Sequence, residues 1–289
     1  MIAILGGLGA ALCWATATLT SSRASRIIGS NSTTAWMMFV GMLVAGPLAL
    51  LTGPLPNVTP DVLPWVAGSS IGGVVGILLT YRALRIGKVG VVAAITSTEG
   101  AIAAVLAVFG GEQLTPIVAI VLLVLAAGVA FVALAAGDAG EHATTPEQIR
   151  REREGAMYAG MAALAFGISI YSTAQLARSF SPFMAVLPVR VVGTVTVFLP
   201  MLLSGKLQLS RRAAPMVLLI GSFEVFGNTL YAIGSHESIA VTAVLASQFA
   251  SIAAVGAFLI FRERLTMKQR SGVVAIAVGV AALTLARSL

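Results

Sequence analysis

The sequence predicts an all-α integral membrane protein: ten transmembrane helices arranged as two inverted five-helix repeats. Three observations lead there. The 289 residues are 58% hydrophobic and only 10% charged, with a mean hydropathy of +0.97, against about 25% charged residues in an ordinary soluble domain. The apolar runs are continuous and about 20 residues long, which is what a helix needs to cross a ~30 Å hydrocarbon core; strands of a membrane barrel would alternate apolar and polar residues instead. Finally, the two halves of the chain resemble each other at a nearly constant offset.

Ten runs satisfy the length requirement, at 2–22, 32–52, 62–84, 89–110, 115–136, 155–177, 182–204, 214–234, 239–261 and 269–287. No basic residue precedes the first, so it reads as a span rather than a cleavable signal. The intervals between runs carry loop chemistry, as in SSRASR, TGPLPNVTPD, GGEQLT and SGKLQLSRR. One polar segment is long, at 137–154. Within it Thr145, Pro146 and Gln148 read as a helix start of the capping-box kind. The pairs Glu147/Arg151 and Arg150/Glu154 are spaced i,i+4 along a solvated helical extension that leads into the sixth span. This segment separates a first unit, 1–136, from a second, 155–289.

The halves match in register. Leu12-Cys13-Trp14 aligns with Leu164-Ala165-Phe166, and Leu51-Thr52-Gly53 with Leu203-Ser204-Gly205. Tyr81 aligns with Tyr231, Glu112-Gln113-Leu114-Thr115 with Glu263-Arg264-Leu265-Thr266, and Gly128-Val129-Ala130 with Gly279-Val280-Ala281. The offset stays within 150–152 throughout. Five spans are an odd number, so the second half enters the membrane from the opposite side. Inverted repeats of this kind are characteristic of secondary transporters, whose substrate site lies at the midplane between the halves.

Charge sets an orientation. Fifteen of the 18 Lys and Arg residues fall in the connections after spans 1, 3, 5, 7 and 9; the other three are Arg178, Arg287 and Arg190. The positive-inside rule then places those connections in the cytoplasm and both termini outside. The same distribution explains the net charge of +7 without nucleic acid as a partner: the basic residues sit at helix ends, against lipid and water. One cysteine, Cys13, excludes an internal disulfide and a cysteine metal cluster, and with only His142 and His236 as imidazoles no metal site is expected. No phosphate-cradling Gly-Lys-Ser/Thr motif is present, and no cofactor is expected.

Each half resembles an EamA-type domain of the drug/metabolite transporter superfamily. The residues that carry the resemblance are Trp14 and Phe166 in Ala/Leu-rich first spans, the small-residue-rich stretches 91–109 and 241–260, the turns at Glu112-Gln113-Leu114-Thr115 and Glu263-Arg264-Leu265-Thr266, and Gly128-Val129 and Gly279-Val280. The sequence departs from the family pattern in two places. The fourth spans lack the early proline, and Arg190, which matches an arginine often found in a second span, has Met38 as its first-half counterpart. The resemblance implies a carrier that exports or exchanges small metabolites, commonly amino acids and related compounds, driven by ion or solute gradients; the compactness of the chain and its lack of tails or targeting segments point to a bacterial inner membrane. The resemblance also implies both termini in the cytoplasm, opposite to the charge count.

Three ionisable residues fall deep within spans: Arg190, Glu99 and Glu224. Each costs roughly 2.5–3.5 kcal/mol at the centre of a lone helix, so all three should face the protein interior with a partner or water. Arg190 reads either as a lock paired with a glutamate or as an anchor for a substrate carboxylate, to which its planar fork of donors is suited. One arginine cannot neutralise two glutamates. The carboxyl left over, Glu224 or Glu99, is a proton-coupling candidate. Asn228 and Tyr231 follow Glu224 on one helix face. Gln248, Trp14, Tyr81 and Tyr171 complete the candidate lining of a central cavity for a small-molecule substrate. The alternative within the same class is proton-coupled export of lipophilic cations, with Arg190 as a structural counter-ion. An intramembrane enzyme or receptor is the remote alternative, because no nucleophile–base set lies within a span.

Overall fold

A computed structural model describes residues 1–53, 59–86, 92, 95–124, 127 and 146–253. Every regular element among them is helical. Helix α1 is Ile2–Ile28, α2 Ser30–Thr52, α3 Leu63–Ile86, α4 Glu99–Phe109, α5 Pro146–Ser179, α6 Pro182–Leu203, α7 Ala214–Ser235 and α8 Ile239–Ala246. Residues 116–124 and 249–253 are also helical.

Among the described residues, six helices are long and apolar enough to cross a membrane: α1, α2, α3, α5, α6 and α7. Their outward faces carry Leu5, Leu12, Leu43, Leu78, Ile168 and Leu218, each more than a third exposed, a surface that suits lipid and not water. Their inward faces carry alanine, glycine and serine. Small residues let helices approach closely, which matters in a membrane because apolar side chains gain nothing by leaving lipid for protein.

Local chemistry explains the ends. Gly29 has φ +80, the left-handed backbone that glycine adopts without strain, and it turns α1 directly into α2. Ser181 caps α6, its Oγ accepting from the Met184 N–H at 3.3 Å, with Pro182 at the first helical position. The middle of α6 widens into a π-turn at Thr194–Phe198, where the Leu199 N–H reaches Thr194 O five residues back. Pro200, which has no N–H, follows immediately.

Two of the expected spans differ from the reading as continuous helices. The fourth, 89–110, is interrupted by a turn at Ser97-Thr98 before α4 begins at Glu99. The ninth, 239–261, is interrupted at Ser247-Gln248, after α8. The two breaks are 150 residues apart. At each break the backbone bond shortens to i→i+3, Thr98 N–H to Ile95 O at 3.2 Å and Gln248 N–H to Leu245 O at 3.2 Å. The helical extension before the sixth span is present as the start of α5, with Arg151–Glu147 at 2.7 Å and Arg150–Glu154 at 3.8 Å. The tenth span, Glu263, the end of the fifth span and Thr145 lie outside the described residues.

The helices pack in matched pairs. Helix α1 lies along α7, and α5, its counterpart by sequence offset, lies along α3, the counterpart of α7. Helix α2 crosses its own counterpart α6, and α4 packs against α8. Glycines mark the closest approaches. A Cβ on Gly227 would lie 2.7 Å from Trp14, and one on Gly76 would lie 2.7 Å from Phe166. Gly227 and Gly76 are offset by 151 residues, and Trp14 and Phe166 by 152.

Candidate functional site: a charged crossing at the centre of the bundle

Arg190 and Glu224 meet. Arg190 Nη2 lies 3.2 Å from Glu224 Oε2 and donates to Glu224 O at 3.5 Å, while Nη1 approaches Met38 Sδ at 3.8 Å. The arginine side chain is 3% exposed and the glutamate 24%. The guanidinium is thus held between α2, α6 and α7 with its charge already matched. Room for it comes from Gly41 on α2, where a Cβ would lie 2.9 Å from Arg190 Cδ. The mirror-image arrangement also exists: a Cβ on Gly193 would lie 2.6 Å from Met38 Sδ. Gly41 and Gly193 are 152 residues apart, as are Met38 and Arg190.

The other candidates divide. Glu99 opens α4 directly after the break in the fourth span; it is 7% exposed, and none of the described residues gives its carboxylate a hydrogen bond. It lies near enough to Glu224 and Tyr231 to interact with them electrostatically. Gln248, fully buried in the break of the ninth span, spends Nε2 on Val244 O at 3.0 Å and leaves Oε1 without a partner. Trp14 stacks on Tyr231 at 6.2 Å between centroids and meets Phe249 edge-on at 6.1 Å; its Nε1 has no acceptor. Gly100 packs against Ser247 and Ala243, so the two helix breaks are neighbours.

Asn228 sits beside Glu224 on α7 but donates to the Glu224 backbone carbonyl at 2.7 Å, inside its own helix. Tyr81 lies within electrostatic reach of Glu224 and accepts from the Thr34 hydroxyl at 2.6 Å. Tyr171 lies in the same buried apolar cluster as Trp14 and Tyr231. Its hydroxyl accepts from Gln175 Nε2 at 2.8 Å, and its ring meets Trp65 edge-on at 5.8 Å, near the first turn of α3.

Three features of this region were not among the site residues read from the sequence. Tyr231 is fully buried with an unpartnered hydroxyl, and Thr229 and Thr194 have buried unpartnered hydroxyls as well. Met38 touches the guanidinium. Glu112, in the turn after the fourth span, caps a helix of the other half: it accepts from the Ser238 hydroxyl, from Ile239 N–H at 3.0 Å and from Ala240 N–H at 3.3 Å. The repeat offset was the available signal for Tyr231 and Met38, because each is the counterpart of a residue already singled out.

The model of the EamA-like transporter family matches residues 1–134 and again 153–285. The chain belongs to the EamA-like transporter family. This places it in the drug/metabolite transporter superfamily, as a multi-pass membrane transporter of the drug/metabolite type; the family consists of transporters, not enzymes. No protein of curated function matches the sequence. A solved structure described only as a crystal structure of a protein superposes with a TM-score of 0.77 at 18% identity, covering 98% of this chain and 96% of the other. At that identity the likeness speaks for the fold alone.

Proposed function

We propose that this EamA-like protein is a secondary transporter that exports or exchanges small metabolites, such as amino acids and related compounds, in the bacterial inner membrane. It works by alternating access around a midplane chamber between two inverted five-helix halves. The observation that carries the proposal is the crossing of α2 and α6. There Met38 meets Arg190, its own counterpart, and Gly41 faces Arg190 as Gly193 faces Met38. Reciprocal contacts of this form are those of a two-fold interface, and a residue that touches its own counterpart lies on the axis.

An axis is also where relative motion of two halves is smallest. In this reading the Arg190–Glu224 pair keeps its partners while the outer ends of the helices rock, and Glu99, which has no counter-charge among the described residues, is the group that binds or releases a proton or cationic solute. The pairing of the guanidinium with Glu224 supports a second reading, proton-coupled export of lipophilic cations, with Arg190 purely structural.

The test is flux in proteoliposomes loaded with a panel of amino acids, other small carboxylates and organic amines, under imposed proton, sodium or counter-solute gradients. Solute-specific flux above that of protein-free vesicles is expected. Absence of flux for every solute under every gradient refutes the transport reading. Flux of quaternary ammonium compounds alone selects the second.

A further inference from the structure

The charges buried in the described part of the bundle do not balance. Counted as ionised, Arg190 brings one positive charge and Glu224 and Glu99 one negative charge each, and Arg190 is spent on Glu224. Glu99 is left as a 7% exposed carboxylate to which no described residue donates a hydrogen bond. Around it stand aromatic faces and unsatisfied polar groups, among them the Trp14 Nε1 donor. Gln248 Oε1 accepts and has no donor, and the Tyr231 hydroxyl is unpartnered. Trp14, Tyr231 and Phe249 form one stacked and edge-on aromatic group. Buried polar atoms without partners are rare in a folded protein, and several in one neighbourhood need an explanation.

The two helix breaks give the neighbourhood its position. Glu99 follows the turn at Ser97-Thr98, Gln248 and Phe249 lie in and after the turn at Ser247-Gln248, and Gly100 against Ser247 brings the turns together. Interrupted helices in a transporter bring side chains and backbone of two repeats to one place at membrane depth. By offset, Glu99 is the counterpart of Phe249, so the two halves supply unlike groups here, an anion from one and an aromatic edge from the other.

An ammonium group answers the carboxylate, the amide oxygen and the aromatic faces together, and leaves the Trp14 Nε1 donor to another part of the solute. It carries the missing positive charge, donates up to three hydrogen bonds to carboxylate, amide and phenol oxygens, and is attracted to aromatic faces. A carboxylate would meet the unmatched charge of Glu99 and the matched charge of Arg190. We infer that the meeting of the two helix breaks is a subsite for the amine of a cationic or zwitterionic substrate, with Glu99 as counter-ion, Gln248 Oε1 as acceptor, and Trp14, Tyr231 and Phe249 as its aromatic wall. The inference rests on the transport reading above and narrows it to amine-bearing solutes.

Three compounds with the same ring and different charge test it: phenethylamine, phenylalanine and 3-phenylpropanoate, titrated by calorimetry into the full chain in detergent micelles. Phenethylamine or phenylalanine is expected to bind at least about tenfold more tightly than 3-phenylpropanoate. Glu99→Gln should remove that preference, and Glu99→Asp, which retains the charge, should recover part of it. Equal or tighter binding of 3-phenylpropanoate, an unchanged preference in a folded Glu99→Gln variant, or binding of none of the three overturns the subsite. Flux is read separately: an amine that binds through Glu99 but is not carried by proteoliposomes leaves the subsite standing and refutes transport of that class.

Discussion

Removing Glu224 should harm the protein more than removing Arg190, although the two are partners in one ion pair. The asymmetry comes from what each leaves behind. Glu224→Ala strands a guanidinium that is 3% exposed, with Met38 Sδ at 3.8 Å as its remaining side-chain neighbour. Arginine does not lose its proton in proteins, so the charge stays, and breaking a buried pair in this way costs about 3–5 kcal/mol. Arg190→Ala strands a carboxylate that is 24% exposed and can become neutral by taking up a proton, so roughly 1–3 kcal/mol is expected, the cost of an unmade buried hydrogen bond. The double replacement Arg190→Met with Glu224→Leu removes both charges and should recover most of the loss, since apolar residues often substitute for a buried pair without penalty. Reversible denaturation in mixed micelles with increasing SDS measures all four proteins. The reasoning fails if Arg190→Ala costs as much as Glu224→Ala, or if the double variant is as unstable as the sum of the singles.

Other perturbations test other joints. Glu112→Ala removes acceptors from the Ser238 hydroxyl and the first N–H groups of α8, and loss of such a cap should lower stability by about 1–2 kcal/mol in the same titration. Gly227→Ala should cost about 1–3 kcal/mol, because its Cβ would lie 2.7 Å from the indole of Trp14; paired with Trp14→Leu, the loss should shrink. Topology is read by labelling: in a Cys13→Ser background, Ser204→Cys should react with an impermeant maleimide only after the membrane is opened, and His236→Cys in intact cells. The reverse pattern would place the termini inside, as the family resemblance implies, and would overturn the charge count.

The spans that depended on length and hydropathy were legible in the sequence, because continuous apolar runs such as 32–52 and 214–234 leave a chain in lipid no alternative to a helix. The breaks at Ser97-Thr98 and Ser247-Gln248 were not. Serine and threonine inside an apolar run satisfy their hydroxyls on the preceding turn, as Thr98 does on Ile95 O at 2.7 Å and Ser247 on Val244 O at 2.8 Å. A helix with such residues reads the same whether or not it bends, and no proline marks either site. Which glutamate pairs with Arg190 was equally hidden. Glu99 and Glu224 both read as mid-span acids, and the choice between them follows from α7 lying beside α6 and α2, a matter of packing between helices distant in sequence. Tyr171, read from its place in a span as a chamber wall, has its hydroxyl on Gln175 and its ring against Trp65.

The departure of Met38 from the family's arginine has a physical cause. Met38 and Arg190 are counterparts by sequence offset, and they touch: Arg190 Nη1 and Met38 Sδ are 3.8 Å apart. A sequence that kept strict symmetry at this point would press two guanidiniums together. At about 4 Å and an effective dielectric near 20, their repulsion is about 4 kcal/mol, before any cost of desolvation. One counterpart must therefore be neutral, and a thioether is soft and long enough to fill the gap beside a cation. Met38→Arg should destabilise the protein by at least about that repulsion, while Met38→Leu, which keeps volume and neutrality, should cost less than about 1.5 kcal/mol. If Met38→Arg is tolerated as well as Met38→Leu, the two positions do not meet in the membrane, and the axis does not pass between them.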